Sequence, residues 1–309
     1  MEKNNILIIG GNGFIGQYVV RESLRKGFKV YNISLNENKS FIERKNIINY
    51  YCDISEHDFV QKNILDKIPF KYIINCSGFG KHNGFWNGGV KVIKDHYLGL
   101  LNVLESINYK SIEGFVQLCT SDVYGDYIAP QKEYLREKSI SPYSASKTAA
   151  THLLQMLYRT EEFPAKILRL FLPYGPGQSL NMFLPQVILG CLKDKEFPVS
   201  LGEQYRDFLY IDDLIDAIFL SLKSEKANGE VINIASGNPI KIKEMVQKVQ
   251  KMIGRGKPQF GKYPYRKNEN MMLYGSIEKA RTILNWEPST NINLGLSKTI
   301  EYYKKIIKG

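Results

Sequence analysis

The glycine-rich stretch Gly10-Gly11-Asn12-Gly13-Phe14-Ile15-Gly16 decides the fold. It follows the apolar run Asn5-Ile6-Leu7-Ile8-Ile9 and opens an amphipathic segment over Gln17 to Lys26. Glycines in such a turn let backbone N–H groups approach a pyrophosphate, and the helix N-terminus supplies positive potential. The run could be an ordinary turn, but its position between a strand and a helix favours a dinucleotide site. We therefore expect the cofactor to contact Gly10, Gly13, Phe14, Ile15 and Gly16.

The alternation of strands and helices continues beyond this turn. Short runs rich in β-branched and aromatic residues alternate with amphipathic stretches, which is typical of βαβ units with a buried parallel sheet. The predicted strands are Phe28–Ile33, Ile47–Tyr51, Tyr72–Cys76, Phe115–Cys119, Lys166–Leu170 and Glu230–Ile234. The sequence thus predicts an α/β fold with a doubly wound parallel sheet of the Rossmann type, whose ligands lie at the carboxyl ends of the strands.

The pattern changes after residue 170, where Pro173 and the prolines and glycines that follow predict loops. A helix near Asp212 to Lys223 and the strand Glu230–Ile234 then lead back to the main sheet. We expect a dinucleotide-binding domain over residues 1–170, to which residues 207–234 return. A smaller interleaved C-terminal α/β lobe, formed by residues 171–206 and 235–309, would bind the second substrate.

Composition restricts the class of protein. The chain has 43% hydrophobic and 24% charged residues, as globular proteins do, and it contains no run of 18 apolar residues that predicts a membrane span. Its N-terminus does not resemble a signal peptide. The four cysteines, Cys52, Cys76, Cys119 and Cys191, are widely spaced. They indicate buried thiols in a reducing compartment, the cytoplasm, rather than metal ligands or disulfides.

The net charge of +11 is uneven, because residues 251–309 contain twelve Lys or Arg against four Glu and no Asp. Solvated surface lysines are one interpretation. A nucleic-acid patch is disfavoured, since no arginine-rich run or nucleic-acid module accompanies the charge. The excess of positive charge also suits a binding site for a small polyanion such as a nucleotide diphosphate. We expect neither a nucleic-acid nor a membrane partner.

Residues at the strand ends bear on the choice of cofactor. Ser34 ends the second strand, where NAD-binding folds usually carry Asp or Glu for the ribose hydroxyls. A serine with Lys39 in reach tolerates or binds a 2′-phosphate, so it favours NADP(H) over NAD(H). After the third strand, Asp53-Ile54 would contact the adenine, although Asp53 could equally cap the following helix. Cys76-Ser77-Gly78 would let the backbone pass close to the cofactor.

Thr120-Ser121-Asp122-Val123-Tyr124-Gly125 and a later Tyr143/Lys147 pair are the candidate catalytic groups. Ser141-Pro142 predicts a helix start, so Tyr143 and Lys147, four residues apart, share one helical face. The lysine cation would lower the pKa of the tyrosine, and Lys147 could also bind the nicotinamide ribose. A Tyr-x-x-x-Lys pair is commonly a surface pair. Together with the glycine-rich turn and Thr120, however, it favours proton transfer to an alcohol or ketone.

These motifs resemble the extended short-chain dehydrogenases/reductases that act on nucleotide sugars, the NAD-dependent epimerase/dehydratase family, over nearly the whole chain. Further matching segments are Arg169–Gln178, Arg206–Asp213, Ile232–Gly237 and Lys279–Pro288. The resemblance implies that Tyr143 is the acid/base, Lys147 its partner and Thr120 the aligning hydroxyl. It places Pro173 at the cofactor, Ser121 and Asn181 at the sugar nucleotide, and Arg206 and Arg266 on its diphosphate.

The sequence also departs from the family pattern. In the 4,6-dehydratases the tripeptide resembles Thr-Asp-Glu, whereas Ser121 cannot act as a general acid near pH 7, and Asp122 is shorter than Glu. Dehydration is therefore disfavoured. Leu172 and His96 stand where Asn is common. The glycine-rich stretch Phe79–Gly89 should lie over the nicotinamide and the sugar, and its His82 is either a sugar contact or an exposed loop residue.

The main prediction is NADPH-dependent reduction of the C4 ketone of a dTDP- or CDP-linked 4-keto-6-deoxyhexose, in supply of a surface polysaccharide. The alternative is a nucleotide-sugar 4-epimerase with tightly bound NAD, because epimerisation uses the same residues. A cofactor-binding regulator without activity is disfavoured by the intact Thr–Tyr–Lys set. Family members often form homodimers through the helix bearing Tyr143 and the one around Val90 to Asn108. The leucines that would serve such an interface, Leu153, Leu154 and Leu157, would equally suit the core.

Overall fold

Strands and helices alternate along residues 4–37, 46–56, 65–80, 83–266 and 269–308, the part of the chain that the structure, a computed structural model, describes. The strands are β1 (Asn5–Ile9), β2 (Lys29–Ser34), β3 (Ile47–Tyr51), β4 (Tyr72–Asn75), β5 (Gly114–Thr120), β6 (Ala165–Leu170), β7 (Leu172–Tyr174), β8 (Glu196–Val199), β9 (Tyr205–Arg206), β10 (Phe208–Tyr210), β11 (Val231–Ile234), β12 (Ile240–Lys241), β13 (Lys257–Phe260) and β14 (Met272–Leu273). The α-helices are α1 (Phe14–Arg25), α2 (Val90–Ile93), α3 (Gly99–Ser106), α4 (Pro142–Glu161), α5 (Phe183–Leu192), α6 (Ile211–Lys223), α7 (Ile242–Ile253), α8 (Glu278–Leu284) and α9 (Ile292–Lys308). None of these helices has the length and apolar character needed to cross a membrane.

The central sheet contains seven parallel strands in the order β11-β6-β5-β4-β1-β2-β3. The predicted doubly wound parallel sheet is therefore confirmed. Strand order reverses between β1 and β4, so a crevice opens at their carboxyl ends, which is where ligands bind in such sheets.

Residues of β1 alternate between two hydrophobic cores, one on each face of the sheet. Ile6 and Ile8 pack into the core that includes α1 and α6, whereas Leu7 and Ile9 pack into the core that includes α3 and α4. Successive side chains of a strand point to opposite faces, so a strand buried on both faces is apolar on both, as β1 is from Ile6 to Ile9.

The leucines of α4 belong to the core. Leu154 is fully buried, and Leu153 and Leu157 are partly buried against the same cluster. Of the two alternatives for these leucines, the structure supports intramolecular packing. The homodimer stays a prediction.

In the part of the chain that the structure describes, three small sheets lie outside the central one. They pair β7 with β10, β13 with β8, and β9 with both β12 and β14. Pro173, predicted in a loop, lies on β7. The carboxylate of Asp213, on α6, accepts hydrogen bonds from the backbone N–H and the hydroxyl of both Ser289 and Thr290. These bonds tie the C-terminal segment to a helix that packs on the sheet.

Candidate active site

The turn between β1 and α1 is built for glycine. Gly10 has φ +79° and donates from its backbone N–H to Ile33 O at 2.7 Å. A Cβ on Gly16 would lie 2.1 Å from Gly10 O and 2.6 Å from Gly11 Cα, a backbone collision that no rotamer relieves. The helix begins at Phe14, three residues earlier than predicted, so its positive N-terminus reaches the crevice. This turn fits the pyrophosphate of a dinucleotide.

Neutral side chains surround Ser34 at the end of β2. Its hydroxyl accepts a hydrogen bond from Asn12 N at 3.1 Å and donates to Asn32 Oδ1 at 3.2 Å. The Asn32 amide in turn donates to the side-chain oxygens of Asn12 and Asn49, each at 2.9 Å. Lys39, invoked for a 2′-phosphate, lies outside the described residues. The described surroundings therefore offer hydroxyl and amide groups, which suit ribose hydroxyls.

The remaining cofactor candidates lie along the same crevice. Asp53 closes a turn by accepting from Ser55 N and Ser55 Oγ at 2.9 and 2.8 Å, and the adjacent Ile54 is buried. Cys76 N donates to Ile9 O at 2.8 Å, which keeps the chain beside β1. A Cβ on Gly10 would come within 2.9 Å of the Ser77 backbone, so the glycine turn and the Cys76-Ser77-Gly78 segment are in direct contact.

The end of β5 and the start of α4 bring the catalytic candidates together. Thr120 is the last residue of β5, and its hydroxyl accepts from Asp122 N at 3.2 Å, which caps the short helical turn Ser121–Tyr124. Ser141 caps α4 through a reciprocal pair of bonds with Ser144, each 3.1 Å long, and Pro142 occupies the first turn. The predicted helix start is thereby confirmed.

Lys147 reaches across the sheet edge rather than toward Tyr143. Its ammonium donates to Ser77 O at 3.3 Å and to Leu118 O at 3.1 Å, and its side chain is buried. Burial lowers the pKa of Lys147. The carbonyl bonds hold Nζ at the junction of β4, β5 and α4, beside the crevice.

The sequence predicted a lowered pKa for Tyr143, and the direction of that shift is wrong. Burial, and after it the carboxylate of Asp122, raise the pKa of Tyr143, and the hydrogen bond with Thr120 opposes them. Lys147 bonds backbone carbonyls, so it does not offset the desolvation of the phenolate. The resting tyrosine is a phenol, ready to donate a proton, and its hydroxyl is hydrogen-bonded to Thr120 as the motif predicts.

The predicted diphosphate arginines lie near each other but differ in exposure. Arg206 is buried on β9 and donates to Tyr205 O at 2.8 Å and to Glu269 Oε1, whereas Arg266 is exposed. Burial lowers the pKa of Arg206, and the positive charge of Arg266 acts in the same direction. The carboxylates of Glu269 and Asp122 act in the opposite direction. Glu269 thus occupies the position on Arg206 that was predicted for a phosphate.

Other predicted residues are scattered around this region. Asn181 is exposed just before α5, and the Pro173 carbonyl on β7 accepts from the Gln178 amide at 3.2 Å. Phe79 packs on His96 with ring centroids 5.5 Å apart, while Trp86 is largely exposed. His82 falls outside the described residues, so its predicted contact with the sugar stays a prediction.

A model of the NAD dependent epimerase/dehydratase family matches residues 6–235, which include the glycine turn, Thr120, Tyr143 and Lys147. The chain belongs to this family. It is an NAD-dependent enzyme of the extended short-chain dehydrogenase/reductase type, as the motifs predict.

Relatives match nearly the whole length of the chain. A UDP-glucuronate 4-epimerase from Thermodesulfobacterium geofontis is 27% identical, over 98% of this chain and 97% of its own. A dTDP-glucose 4,6-dehydratase from Haemophilus influenzae is 25% identical, over 97% of each chain. The solved structure of a UDP-glucose 4-epimerase from Thermotoga maritima with UDP-glucose matches with TM-score 0.88 and 25% identity, over 98% of this chain and 99% of that one. These relatives are epimerases and a dehydratase, and none is the ketoreductase predicted first.

Two residues of this family member were missed as site residues. His96 was noted only as a departure from Asn, yet its ring packs against Tyr143 with centroids 5.0 Å apart. Glu269 was not considered, although it pairs with Arg206 across 63 residues of sequence. Neither contact has a local sequence signal, because each joins residues from separate elements.

Proposed function

We propose that the protein is an NAD-dependent 4-epimerase of a nucleotide sugar, and that a UDP sugar is its substrate class. The observation that carries the proposal is the composition of the catalytic turn. Thr120 is hydrogen-bonded to Tyr143 beside Lys147, and the adjacent position holds Ser121 rather than an acid. This set can move a proton at the carbon whose hydride a bound nicotinamide cofactor would take and return. The full-length similarity to UDP-sugar 4-epimerases supports the choice.

The buried Ser121 argues against dehydration, even though a dehydratase is among the relatives. Elimination of water requires a group that protonates the departing hydroxyl, and a serine hydroxyl does not release its proton near pH 7. Ser121, predicted to contact the sugar nucleotide, is itself buried, with 2% of its surface exposed. The turn therefore supports oxidation and reduction without elimination.

The surroundings of Ser34 support NAD over NADP. A 2′-phosphate is bound best by cations, and the hydrogen-bond partners of Ser34 are the uncharged Asn12 and Asn32. Of the two, the Asn12 side chain is partly exposed and can exchange hydrogen bonds with a hydroxyl of an adenosine ribose. A cofactor that stays bound through oxidation and re-reduction is what a 4-epimerase needs.

In the proposed reaction, bound NAD supplies the hydride acceptor and later the hydride donor. Tyr143, a phenol at rest, first loses its proton to water; the phenolate then takes the proton of the C4 hydroxyl and returns it to the C4 oxygen once the keto sugar has presented its other face. The Thr120 hydroxyl, bonded to Tyr143, aligns that oxygen. Arg206 and Arg266 hold the diphosphate, which replaces Glu269 on Arg206 and stays fixed while the sugar turns.

The direct test supplies no external cofactor. Purified protein is incubated with UDP-glucose or UDP-glucuronic acid, and the C4 epimer is followed by proton NMR, while the nucleotide released on denaturation is identified by chromatography. We expect the UDP sugar and its C4 epimer to interconvert, and the nucleotide released on denaturation to be NAD. Tyr143→Phe should abolish turnover, whereas Tyr134→Phe, at a site 81% exposed, should leave it unchanged.

A ketoreductase is the second candidate, favoured by the absence of a carboxylate at Ser34. It predicts stoichiometric consumption of added NADPH with a nucleotide-linked 4-keto-6-deoxysugar, and no epimerisation of UDP sugars. That combination of results would replace the epimerase proposal.

A further inference from the structure

Asp122 differs from its neighbours in the catalytic turn because its side chain is partly exposed. The other three residues of the turn Ser121–Tyr124 are buried, whereas Asp122 is half-buried. Its backbone N–H donates to the Thr120 hydroxyl at 3.2 Å, which fixes Asp122 beside the group that is hydrogen-bonded to Tyr143. A carboxylate to which the proposed reaction gives no step thus lies beside the catalytic centre.

The catalytic turn is also connected to the arginine that would hold the diphosphate. The carboxamide of Asn270 donates to Gly125 O at the end of the turn, and the preceding residue, Glu269, is paired with Arg206. Two adjacent residues therefore join Arg206 to the turn. Burial lowers the pKa of Arg206, and the carboxylates of Glu269 and Asp122 oppose that shift, so Asp122 lies within electrostatic reach of the guanidinium.

Asp122 is likewise close to the acid/base. Burial is the main cause that raises the pKa of Tyr143, and the Asp122 carboxylate is the next. In the proposed reaction Arg206 holds the diphosphate on C1 of the sugar, and C4 lies at Tyr143. C1 and C4 are opposite corners of a six-membered sugar ring. The ring therefore spans the distance between the two groups on which Asp122 acts, and Asp122 borders one of its edges.

The turning of the sugar during epimerisation brings C6 to this edge. One edge of the ring consists of C2 and C3, and the other carries C5 with its C6 substituent. Presenting the other face of C4 to the same cofactor, with C1 and C4 held in place, exchanges the two edges. In one of the two orientations C6 therefore faces Asp122. A C6 hydroxyl can donate a hydrogen bond to a carboxylate, whereas a C6 carboxylate only accepts and carries the same charge.

We propose that Asp122 is a specificity-determining residue that excludes sugars with a C6 carboxylate, so that the substrates are UDP-hexoses with an uncharged C6 group. The proposal rests on the proposed function and deepens it, because it chooses neutral sugars over uronic acids. Repulsion between like charges is strongest where protein groups replace water, as they do around a bound sugar.

Three substrates test this selection on the wild-type protein. UDP-glucose has a C6 hydroxyl, UDP-glucuronic acid has a C6 carboxylate, and UDP-glucuronamide has an uncharged amide of nearly the same shape as the carboxylate. The initial rate of C4 epimerisation of each would be measured by proton NMR. We expect kcat/KM for the acid to be about tenfold below that for UDP-glucose, and the amide to recover most of this loss.

Asp122→Asn removes the charge and keeps the shape of the side chain. The variant also changes the environment of Tyr143, but that effect is common to all substrates and cancels in the ratio of kcat/KM for UDP-glucose to kcat/KM for UDP-glucuronic acid. This ratio should fall about tenfold. Asp126→Asn is the matched control, because it removes an aspartate charge just after the same turn from a side chain that is 83% exposed. It should leave the ratio unchanged.

The outcomes separate this proposal from the one on which it rests. Equal kcat/KM values for UDP-glucose and UDP-glucuronic acid in the wild type would overturn the role of Asp122 while the epimerase proposal stands. Rejection of the amide to the same degree as the acid, or an unchanged ratio in Asp122→Asn, would do the same. Absence of epimerisation with both UDP-glucose and UDP-glucuronic acid would refute the proposed function, and this assignment with it.

Discussion

Removal of the charge of Glu137 should destabilise the protein strongly, because it leaves a buried guanidinium without its carboxylate. Arg169 lies on β6 with its side chain 1% exposed, and its Nη2 donates to Glu137 Oε1. Its Cζ is 4.8 Å from the centroid of the Tyr124 ring, at the end of the catalytic turn. Glu137 is its one ion-pair partner within the described part of the chain.

The magnitude follows from this burial. Removing one partner of a buried ion pair costs about 3 to 5 kcal/mol, because the remaining charge stays desolvated. In Glu137→Gln the amide oxygen can still accept one bond, and the Tyr124 ring still faces the cation. We therefore expect Glu137→Gln to lower the free energy of unfolding by about 3 kcal/mol, the lower end of this range. For a chain of 309 residues, a loss of this size lowers Tm by roughly 5 °C.

A double-mutant cycle separates the pair from its surroundings. Chemical denaturation would compare the wild type with Glu137→Gln, Arg169→Met and the double variant. The double variant should be more stable than Glu137→Gln alone, since no unpaired charge remains buried. Glu278→Gln, which removes an exposed pair with Lys132, serves as the control and should cost less than about 1 kcal/mol. A Tm for Glu137→Gln within 1 °C of the wild type, or strictly additive effects in the cycle, would refute the reasoning.

Three further predictions concern the active site. Because the Asp122 carboxylate raises the pKa of the Tyr143 phenol, Asp122→Asn should lower that pKa and, if Tyr143 is the acid/base of the proposed reaction, move the rising limb of the pH–rate profile to lower pH. The exposed Asp126→Asn should not move the limb, and a profile unchanged in both variants would reject this electrostatic role. Gly16→Ala forces a Cβ to within 2.1 Å of a backbone oxygen and should weaken ADP binding at least tenfold. Gly80→Ala is the control: a Cβ at Gly80 meets nothing within 4 Å, so this variant should bind ADP normally in the same titration. Ser34→Asp should weaken NADP binding at least tenfold relative to NAD by repulsion of the 2′-phosphate, and equal losses for both cofactors would contradict that position for the ribose.

Local signals account for most of the fold that could be predicted. The strands of the central sheet were found from short apolar runs, and the helix start at Ser141-Pro142 from its capping pattern, because both depend on residues close in sequence. The candidate catalytic residues were also found from a local pattern, because the four-residue spacing puts Tyr143 and Lys147 on one helical face whether or not the helix is buried. The glycine turn was recognised, whereas α1 starts three residues earlier and ends one residue earlier than predicted.

Burial and contacts between distant segments could not be predicted in this way. The sign of the pKa shift of Tyr143 depends on how completely α4 is desolvated against the sheet, and the expected stabilisation by Lys147 failed because Nζ bonds the carbonyls of Ser77 and Leu118. The pairing of Glu269 with Arg206 could not be predicted either, because the two residues are 63 positions apart in sequence and meet only in the folded protein.

The sequence by itself determined the class of chemistry, through a glycine turn, a threonine, a tyrosine and a lysine whose spacings allow only a few arrangements. Only the tertiary structure decided which groups surround them: an imidazole ring against Tyr143, uncharged amides around Ser34 and a carboxylate on Arg206. The physical reason is that periodicity and capping act within a few residues, whereas desolvation and hydrogen-bond partners depend on chain segments that meet only after folding.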